Sequence, residues 1–115
     1  MSTLGLRGED LAEKFVKKEK YKIIERNFQT RYGEIDIIAR KANIIVFIEV
    51  KTRASSEFAQ PWEAVGFRKR KNLKAAAKIY LQQHPVRECE FRFDVISIIV
   101  EDHAQPQIEW IQEAF

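Results

Sequence analysis

Two β-branched, apolar segments stand close together in this chain, residues 33–40 (GEIDIIAR) and residues 44–52 (IIVFIEVKT). Such a composition is typical of strands, and a connection as short as residues 41–43 favours an antiparallel hairpin. The second segment is apolar on both faces for most of its length, which indicates a central strand that is covered on both sides. The hairpin therefore predicts a sheet with helices packed against it.

The remaining segments supply helices and further strands around this hairpin. Periodic apolar residues predict helices over about residues 5–19 and from residue 61 or 68 to residue 83, with a polar loop over 53–60 before the second. Apolar runs predict further strands over residues 21–30, 91–100 and 108–111. The order αβββαββ places the chain in the α/β class, with a mixed, hairpin-rich sheet flanked by helices.

Length and composition favour one ordered domain over residues 1–115. The chain is 45% hydrophobic and 32% charged, which argues against disorder. Its single cysteine, Cys89, cannot form an internal disulfide, which favours a reducing compartment. The N-terminus lacks the apolar core of a signal peptide, and the longest apolar run, Ile44 to Ile48, is too short to span a membrane. We therefore expect a cytoplasmic protein, and its net charge of +3 permits a nucleic-acid partner.

Two acidic residues and a lysine interrupt the apolar pattern of the hairpin. If the hairpin pairs Arg40 with Ile45, Asp36 lies directly opposite Glu49, with the two Cβ atoms about 5 Å apart. Lys51 shares the face of Glu49, because residues two apart in a strand point the same way. A slip of one residue would separate the carboxylates, so the cluster depends on this register.

This cluster suggests hydrolytic chemistry on a phosphodiester. Asp36 and Glu49 would repel each other unless a cation lay between them, and Mg²⁺, or Mn²⁺ in its place, is the natural mediator because it prefers oxygen ligands. Lys51 would then orient or activate water, or offset negative charge on the phosphate under attack. The alternative is an ordinary salt bridge between Lys51 and one of the acids at a strand end.

The strings GEIDIIA and VFIEVKTR resemble the active-site core of the PD-(D/E)xK nuclease superfamily, which has the restriction-endonuclease-like fold. With GEDLAEKF, WEAVGFRKRKNLKAAAKIYL and RFDVISI in this order, nearly the whole chain is similar to the small bacterial family of YraN-like predicted endonucleases, relatives of the archaeal Holliday-junction resolvases. The resemblance implies a three-layer α-β-α fold. It also implies a Mg²⁺-dependent endonuclease acting on DNA, with branched or damaged structures among its substrates.

The resemblance also implies roles for individual residues. Asp36 and Glu49 match the metal-binding acids of the motif, and Lys51 matches its lysine. The backbone carbonyl of Val50 corresponds to a further metal ligand, and Glu9 matches an acid that reaches the metal site, often through water. These matches imply a catalytic set of four side chains, Asp36, Glu49, Lys51 and Glu9.

Two positions qualify this correspondence. Ile35 stands where the superfamily motif has a proline, as it commonly does in the YraN-like family. Glu9 lies about 20° from Val16 on a helical wheel, at the edge of the apolar stripe of the first predicted helix. The alternative for Glu9 is an acid that is favoured near a helix N-terminus by the helix dipole.

The second predicted helix carries a run of positive charge without any acid over residues 68–78. A like-charged face is self-repulsive and would be relieved by a phosphate backbone, although a solvated helix surface is the ordinary alternative. Arg53, just past Lys51, is a further candidate for contact with phosphate. The predicted nucleic-acid-binding residues on the helix are Arg68, Lys69, Arg70, Lys71, Lys74 and Lys78.

Three questions of function stay open at this point. A nucleic-acid-binding module with a vestigial site is an alternative to a nuclease, and RNA is an alternative to DNA as the ligand. Because cutting both strands of a duplex generally requires two active sites, a homodimer is a further hypothesis. The residues offer no means of reading bases, so we expect recognition by shape and charge.

Overall fold

The computed structural model describes residues 3–54, 66–100 and 105–115, with side chains from residue 7 onward. Two helices and five strands follow one another in the predicted order αβββαββ. Their bounds are α1 Thr3–Lys18, β1 Lys22–Thr30, β2 Gly33–Lys41, β3 Ile44–Ala54, α2 Phe67–Gln83, β4 Glu90–Val100 and β5 Gln107–Ile111.

The predicted boundaries agree with these bounds within a few residues, except around the predicted loop over 53–60. That prediction is wrong for residues 53 and 54, which belong to β3 because they continue its parallel pairing with β4 opposite Ile99 and Val100. The rest of the predicted loop, and the alternative helix start at residue 61, lie outside the described residues.

The five strands form one mixed sheet in the order β1-β2-β3-β4-β5. Strands β3 and β4 are parallel, whereas the other neighbouring pairs are antiparallel. The predicted hairpin is confirmed, and of the registers open to it the structure has the one in which Arg40 pairs with Ile45. Strand β3 therefore lies at the centre of the sheet, as its apolar faces predicted.

Two apolar cores, one on each face of the sheet, give the protein three layers. Helix α1 packs Ala12 and Val16 against one face, and helix α2 packs a stripe that includes Leu73, Ala77 and Tyr80 against the other. Residues 45–49 of β3 are all buried between these layers. Burial on both faces explains why this strand carries few polar residues, and why the ones it does carry stand out.

No helix in the described part of the chain is long and apolar enough to cross a bilayer.

Candidate active site at the end of the central strands

The β2–β3 ladder stops one residue short of the two acids. Its last pair is Ile37 with Ile48, so Asp36 and Glu49 do not form the ladder pair that the sequence predicts. Instead, the Asp36 Oδ2 atom accepts a hydrogen bond of 2.8 Å from the backbone N–H of Val50. The ladder ends here, and the Val50 N–H, which could otherwise bond to the backbone of β2, donates to the side chain of Asp36 instead.

The carboxylates of Asp36 and Glu49 nevertheless lie close enough to repel each other. Burial raises the pKa of Asp36, and the Glu49 carboxylate raises it further, to about 8, against the lowering effect of the Val50 N–H. Glu49 is only 4% exposed. Its Oε2 atom is buried without a hydrogen-bond partner among the described residues. The cluster thus holds more negative charge than its neighbours neutralise.

Two lysines approach the other oxygen of Glu49. The Nζ atom of Lys51 lies 3.8 Å from Oε1, and the Nζ atom of Lys69 lies 3.1 Å from the same oxygen. Burial lowers the pKa of Lys69, but attraction to Glu49 more than offsets this and leaves the pKa raised. The sequence assigns Lys69 to the nucleic-acid surface, whereas the structure also brings it to the carboxylate cluster.

Close packing of α1 on β3 brings Glu9 towards the cluster. A Cβ atom at Gly8 would collide with the side chain of Thr52, so only glycine permits this approach of helix to strand. Glu9 is 7% exposed and adds to the charge that raises the pKa of Asp36. Because α1 begins at Thr3, Glu9 lies beyond its first turn, and the helix-dipole explanation does not apply.

Two residues of β1 that the sequence did not single out hold Glu9 in place. The Asn27 side-chain amide donates a hydrogen bond of 2.8 Å to Glu9 Oε1 and another to Glu34. The Nη2 of Arg26 donates to Glu9 Oε1 at 3.4 Å, while its Nη1 donates to Asp10 at 2.8 Å. Glu9 is therefore anchored to the strand next to the cluster.

Asn27 also marks an irregularity in the sheet. Its φ is +54°, a left-handed conformation in the middle of a strand, and it lies across from position 36 between two ladder pairs. Asparagine tolerates this conformation better than most residues. An asparagine inside a predicted strand is a weak signal in the sequence, because β1 also contains other polar and charged residues.

The predicted nucleic-acid residues lie on two elements. Arg53 is half-buried near the end of β3, across from Ile99 of β4. The six cations of α2 are all exposed, and Lys69 among them reaches Glu49. Helix α2 therefore presents its charge to solvent while its apolar stripe faces the sheet.

The donor set fits a hard divalent cation that keeps water or substrate among its ligands. Within the described residues, no group of three or more His, Cys, Asp or Glu side chains is arranged to hold an ion by itself. Mg²⁺ typically uses one or two carboxylates, completed by water and phosphate. Asp36 and Glu49, whose Oε2 atom is buried without a hydrogen-bond partner among the described residues, match that requirement.

A second buried carboxylate, Asp94 of β4, belongs to a different kind of site. It is fully buried and accepts hydrogen bonds from the Arg92 guanidinium, the Trp110 Nε1 at 2.7 Å and the Glu113 N–H at 3.0 Å. Arg92 and Asp94 lie two residues apart on the same strand, and they form a structural ion pair with 2.9 Å between Arg92 Nη2 and Asp94 Oδ2. Trp110 packs against the α1-side core.

Fold and site together define a small three-layer α/β protein with a carboxylate–lysine cluster where its central strands part. The chain belongs to the uncharacterised protein family UPF0102, whose family model matches residues 8–98. That range contains every candidate site residue named above. The match confirms the family level of the resemblance, whereas its relation to nucleases and resolvases stays a prediction.

Relatives from different bacteria match over almost the full length of the chain. A UPF0102 protein of Syntrophomonas wolfei is 53% identical over 112 residues, which cover 97% of this chain and 96% of the relative. A UPF0102 protein of Geotalea daltonii is 46% identical over 98% of this chain and 89% of its own length. A UPF0102 protein of Rhodococcus opacus is 40% identical over 97% of this chain and 95% of its own length.

Proposed function

We propose that this protein hydrolyses phosphodiester bonds of DNA in a Mg²⁺-dependent reaction, as an endonuclease related to the PD-(D/E)xK superfamily. The observation that carries the proposal is the pair of acids, Asp36 and Glu49, held side by side with Lys51 at the end of β3. The Glu49 Oε2 atom is buried without a hydrogen-bond partner among the described residues. An added cation would relieve the energetic cost of that arrangement.

Asp36, Glu49 and the backbone carbonyl of Val50 would hold the metal ion, and Mn²⁺ would serve in place of Mg²⁺ because both accept oxygen ligands. When bound, the ion would neutralise charge on the phosphate and make water a better nucleophile. Glu9, anchored by Asn27 at 2.8 Å, would order water around the ion.

Lys51 would act directly on the phosphodiester. Its side chain is 31% exposed, so substrate can reach the ammonium group. The ammonium would orient the attacking water and stabilise the negative charge that develops on the phosphoryl oxygens. The water oxygen bonds to phosphorus and gives up a proton to solvent as the bond from phosphorus to the departing sugar oxygen breaks, and that departing oxygen takes up a proton from solvent.

The cations of α2 and Arg53 would hold the DNA backbone through charge, without reading its sequence. We propose a cytoplasmic location, as the single cysteine favours a reducing compartment. Cleavage of both strands of a branched or damaged duplex would further require two sites, and a homodimer would supply them.

A non-catalytic nucleic-acid-binding module is the second candidate. It is favoured by the observation that no three acidic, histidine or cysteine side chains of the described residues form a ready-made metal site. RNA in place of DNA is a variant of either candidate. Binding to duplex DNA, four-way junctions and RNA, compared at matched salt, separates these ligands.

The first prediction concerns cleavage. Duplex, tailed and four-way-junction DNA are incubated with Mg²⁺ and wild-type protein, and with the variants Asp36→Asn, Glu49→Gln and Lys51→Ala. We expect cleavage by the wild type and a loss of at least about 100-fold in each variant, the size typical of removing a group that acts in the transition state.

Matched controls separate the site from general effects of charge. Glu109→Gln removes an exposed carboxylate from β5, and Lys22→Ala removes an exposed lysine at the start of β1. Both should cut like the wild type. Cleavage that survives in Lys51→Ala would contradict the proposal, and binding without any Mg²⁺- or Mn²⁺-dependent cleavage would favour the module.

A further inference from the structure

An open groove beside the carboxylate cluster is lined by two exposed aromatic rings. Tyr32, in the turn between β1 and β2, is 41% exposed, and Phe67, at the start of α2, is 80% exposed. The groove has a volume of about 540 Å³, within the range of roughly 300–1,000 Å³ that is typical of ligand sites. The proposed hydrolysis uses neither ring.

The charge of this groove is positive. Its lining residues are Tyr32, Phe67, Arg68, Lys71, Asn72 and Ala75. This set contains two cations and no acid, and the Arg31 guanidinium lies 4.9 Å from the centroid of the Tyr32 ring. An anionic ligand with flat, apolar faces would match both properties of the surface.

The aromatic–cationic surface continues past the groove. Phe67 also lines a neighbouring cavity of about 350 Å³, together with Arg70, Lys71, Lys74 and Phe115. Phe67 thus separates two cationic depressions while most of its ring meets solvent. Two exposed rings, Phe67 and Tyr32, that share one groove with cations form a patch rather than an isolated apolar residue, and such a patch is typical of a ligand surface.

Unpaired nucleotides provide the ligand that uses both the rings and the cations. In a duplex, each base is covered by its neighbours in the stack, so a protein that binds only the duplex backbone gains little from exposed rings. An unpaired base presents a free face, and stacking it on an aromatic side chain adds to the attraction of its phosphate for Arg and Lys.

The groove adjoins the proposed catalytic cluster. Arg68 precedes Lys69, whose Nζ atom lies 3.1 Å from Glu49 Oε1. On the opposite side, a Cβ atom built at Gly33 would lie 3.9 Å from the Cβ of Asn72, so α2 packs over the turn that leads into β2. A strand that lay in the groove would therefore lie along the turn of α2 that reaches Glu49 and over the start of β2, three residues before Asp36.

We propose that this groove binds unpaired nucleotides, so that the substrate class is DNA in which a single-stranded segment adjoins a duplex. The proposal rests on the proposed function for its ligand, DNA. Tyr32 and Phe67 stack on bases of the unpaired segment, and Arg68 and Lys71 contact its phosphates. The duplex part lies along the remaining cations of α2.

Binding in EDTA tests the groove without any cleavage. The probes are a fluorescent duplex that carries an unpaired thymidine tail and a blunt duplex with the same total number of phosphates. We expect the wild type to prefer the tailed duplex. Phe67→Ala and Tyr32→Ala should each weaken binding of the tailed duplex about tenfold, the effect of losing one stacked base, and leave binding of the blunt duplex nearly unchanged.

Further variants distinguish stacking from general apolar contact. Phe67→Tyr keeps a ring and should bind like the wild type, whereas Phe67→Leu keeps apolar bulk and should bind like Phe67→Ala. Phe91→Ala is the matched control, since Phe91 is also exposed, at 47%, but does not line the groove. In addition, a fluorescent adenine analogue in the tail should be quenched by stacking on the wild type but not on Phe67→Leu.

Several outcomes would overturn the proposal. The proposal fails if Phe67→Ala weakens binding of tailed and blunt DNA equally. It also fails if Phe67→Ala and Phe91→Ala bind the tailed duplex with the same affinity. If Phe67→Ala instead changed the oligomeric state at unchanged DNA affinity, the groove would be a contact between copies of this chain. Circular dichroism checks that each variant is folded. If Phe67→Ala is not folded, the comparison of Phe67→Leu with Phe67→Tyr retains the test.

The proposed hydrolysis and the groove fail in different ways. If cleavage is absent while the tail preference and its loss in Phe67→Ala persist, the hydrolysis fails and the groove stands. If cleavage depends on Asp36 and Lys51 but Phe67→Ala binds and cuts tailed DNA like the wild type, the groove alone fails.

Discussion

Glu49 and Asp94 are buried carboxylates on the paired central strands β3 and β4, yet their surroundings differ. Asp94 is surrounded by donors from Arg92, Trp110 and the backbone of Glu113. Glu49 has two lysines near one oxygen, no hydrogen-bond partner for the other among the described residues, and a second acid beside it. Burial of a carboxylate is common to both sites, so incomplete compensation is what distinguishes the candidate functional one.

The two carboxylates also serve opposite faces of the sheet. Glu49 pairs with Val95, which belongs to the core under α2, and Asp94 pairs with Ile48, which belongs to the core under α1. Asp94 holds β4 to the end of the chain through Trp110 and Glu113. One face therefore holds a buried carboxylate whose donors are all supplied by the protein, and the other holds the carboxylate that we propose as a metal ligand.

The largest expected effect is on stability. Asp94→Asn should lower the free energy of unfolding by about 3–5 kcal/mol, because it leaves the largely buried Arg92 guanidinium, whose side chain is 12% exposed, without its ion-pair partner. The matched change Glu49→Gln should alter the free energy by less than about 1 kcal/mol, since lost attraction to lysine is balanced by relief from Asp36. Urea unfolding of both variants and the wild type measures this, and comparable losses would erase the distinction between the sites.

An intermediate effect is expected from Mg²⁺. At a free concentration of 100 times its Kd, the ion should stabilise the wild-type protein by about 2.7 kcal/mol, because it binds the folded state alone. Asp36→Asn and Glu49→Gln should lose this gain, and Asp94→Asn should retain it. Thermal unfolding at increasing Mg²⁺ measures the shift, and an equal gain in Glu49→Gln would assign it to another site.

The smallest effect is expected at Lys69. Its side chain is 47% exposed, so its pair with Glu49 resembles a surface ion pair, and Lys69→Gln should lower stability by less than about 1 kcal/mol. The same change should increase affinity for Mg²⁺, since the ammonium competes with the ion for Glu49. Calorimetric titration measures the affinity, with Lys78→Gln on the same helix as the control. Weaker Mg²⁺ binding in Lys69→Gln would assign Lys69 a supporting role instead.

Local patterns were sufficient to predict the sheet and part of the candidate site. Two apolar segments and a short connection predict the hairpin, and one of its possible registers, the one observed, brings Asp36 near Glu49 and Lys51. The detail that failed was the ladder pair of the two acids. A pattern of apolar and polar residues does not indicate that a side chain will accept a hydrogen bond from a backbone N–H, as Asp36 does from Val50.

Contacts between distant segments could not be predicted in this way. Lys69 reaches Glu49 because α2 docks on one particular part of the sheet, and helical periodicity indicates which face docks but not where along the strands. The link from Asn27 to Glu9 depends likewise on how α1 crosses β1 and on a left-handed residue within a strand. Such features follow from three-dimensional packing and not from local preference.

Helix α2 carries both core residues and cations, so the direction in which its cations point depends on the number of residues between them and the apolar stripe. A single residue inserted between Lys69 and Leu73 would rotate the first turn by about 100° relative to the apolar stripe. Leu73, Ala76 and Ala77 would stay in the core, so the fold and the composition would be nearly the same. Lys69 would nevertheless turn away from Glu49, and the first turn of the helix would present its cations in a different direction. In this helix, the spacing between residues carries as much information as their identity.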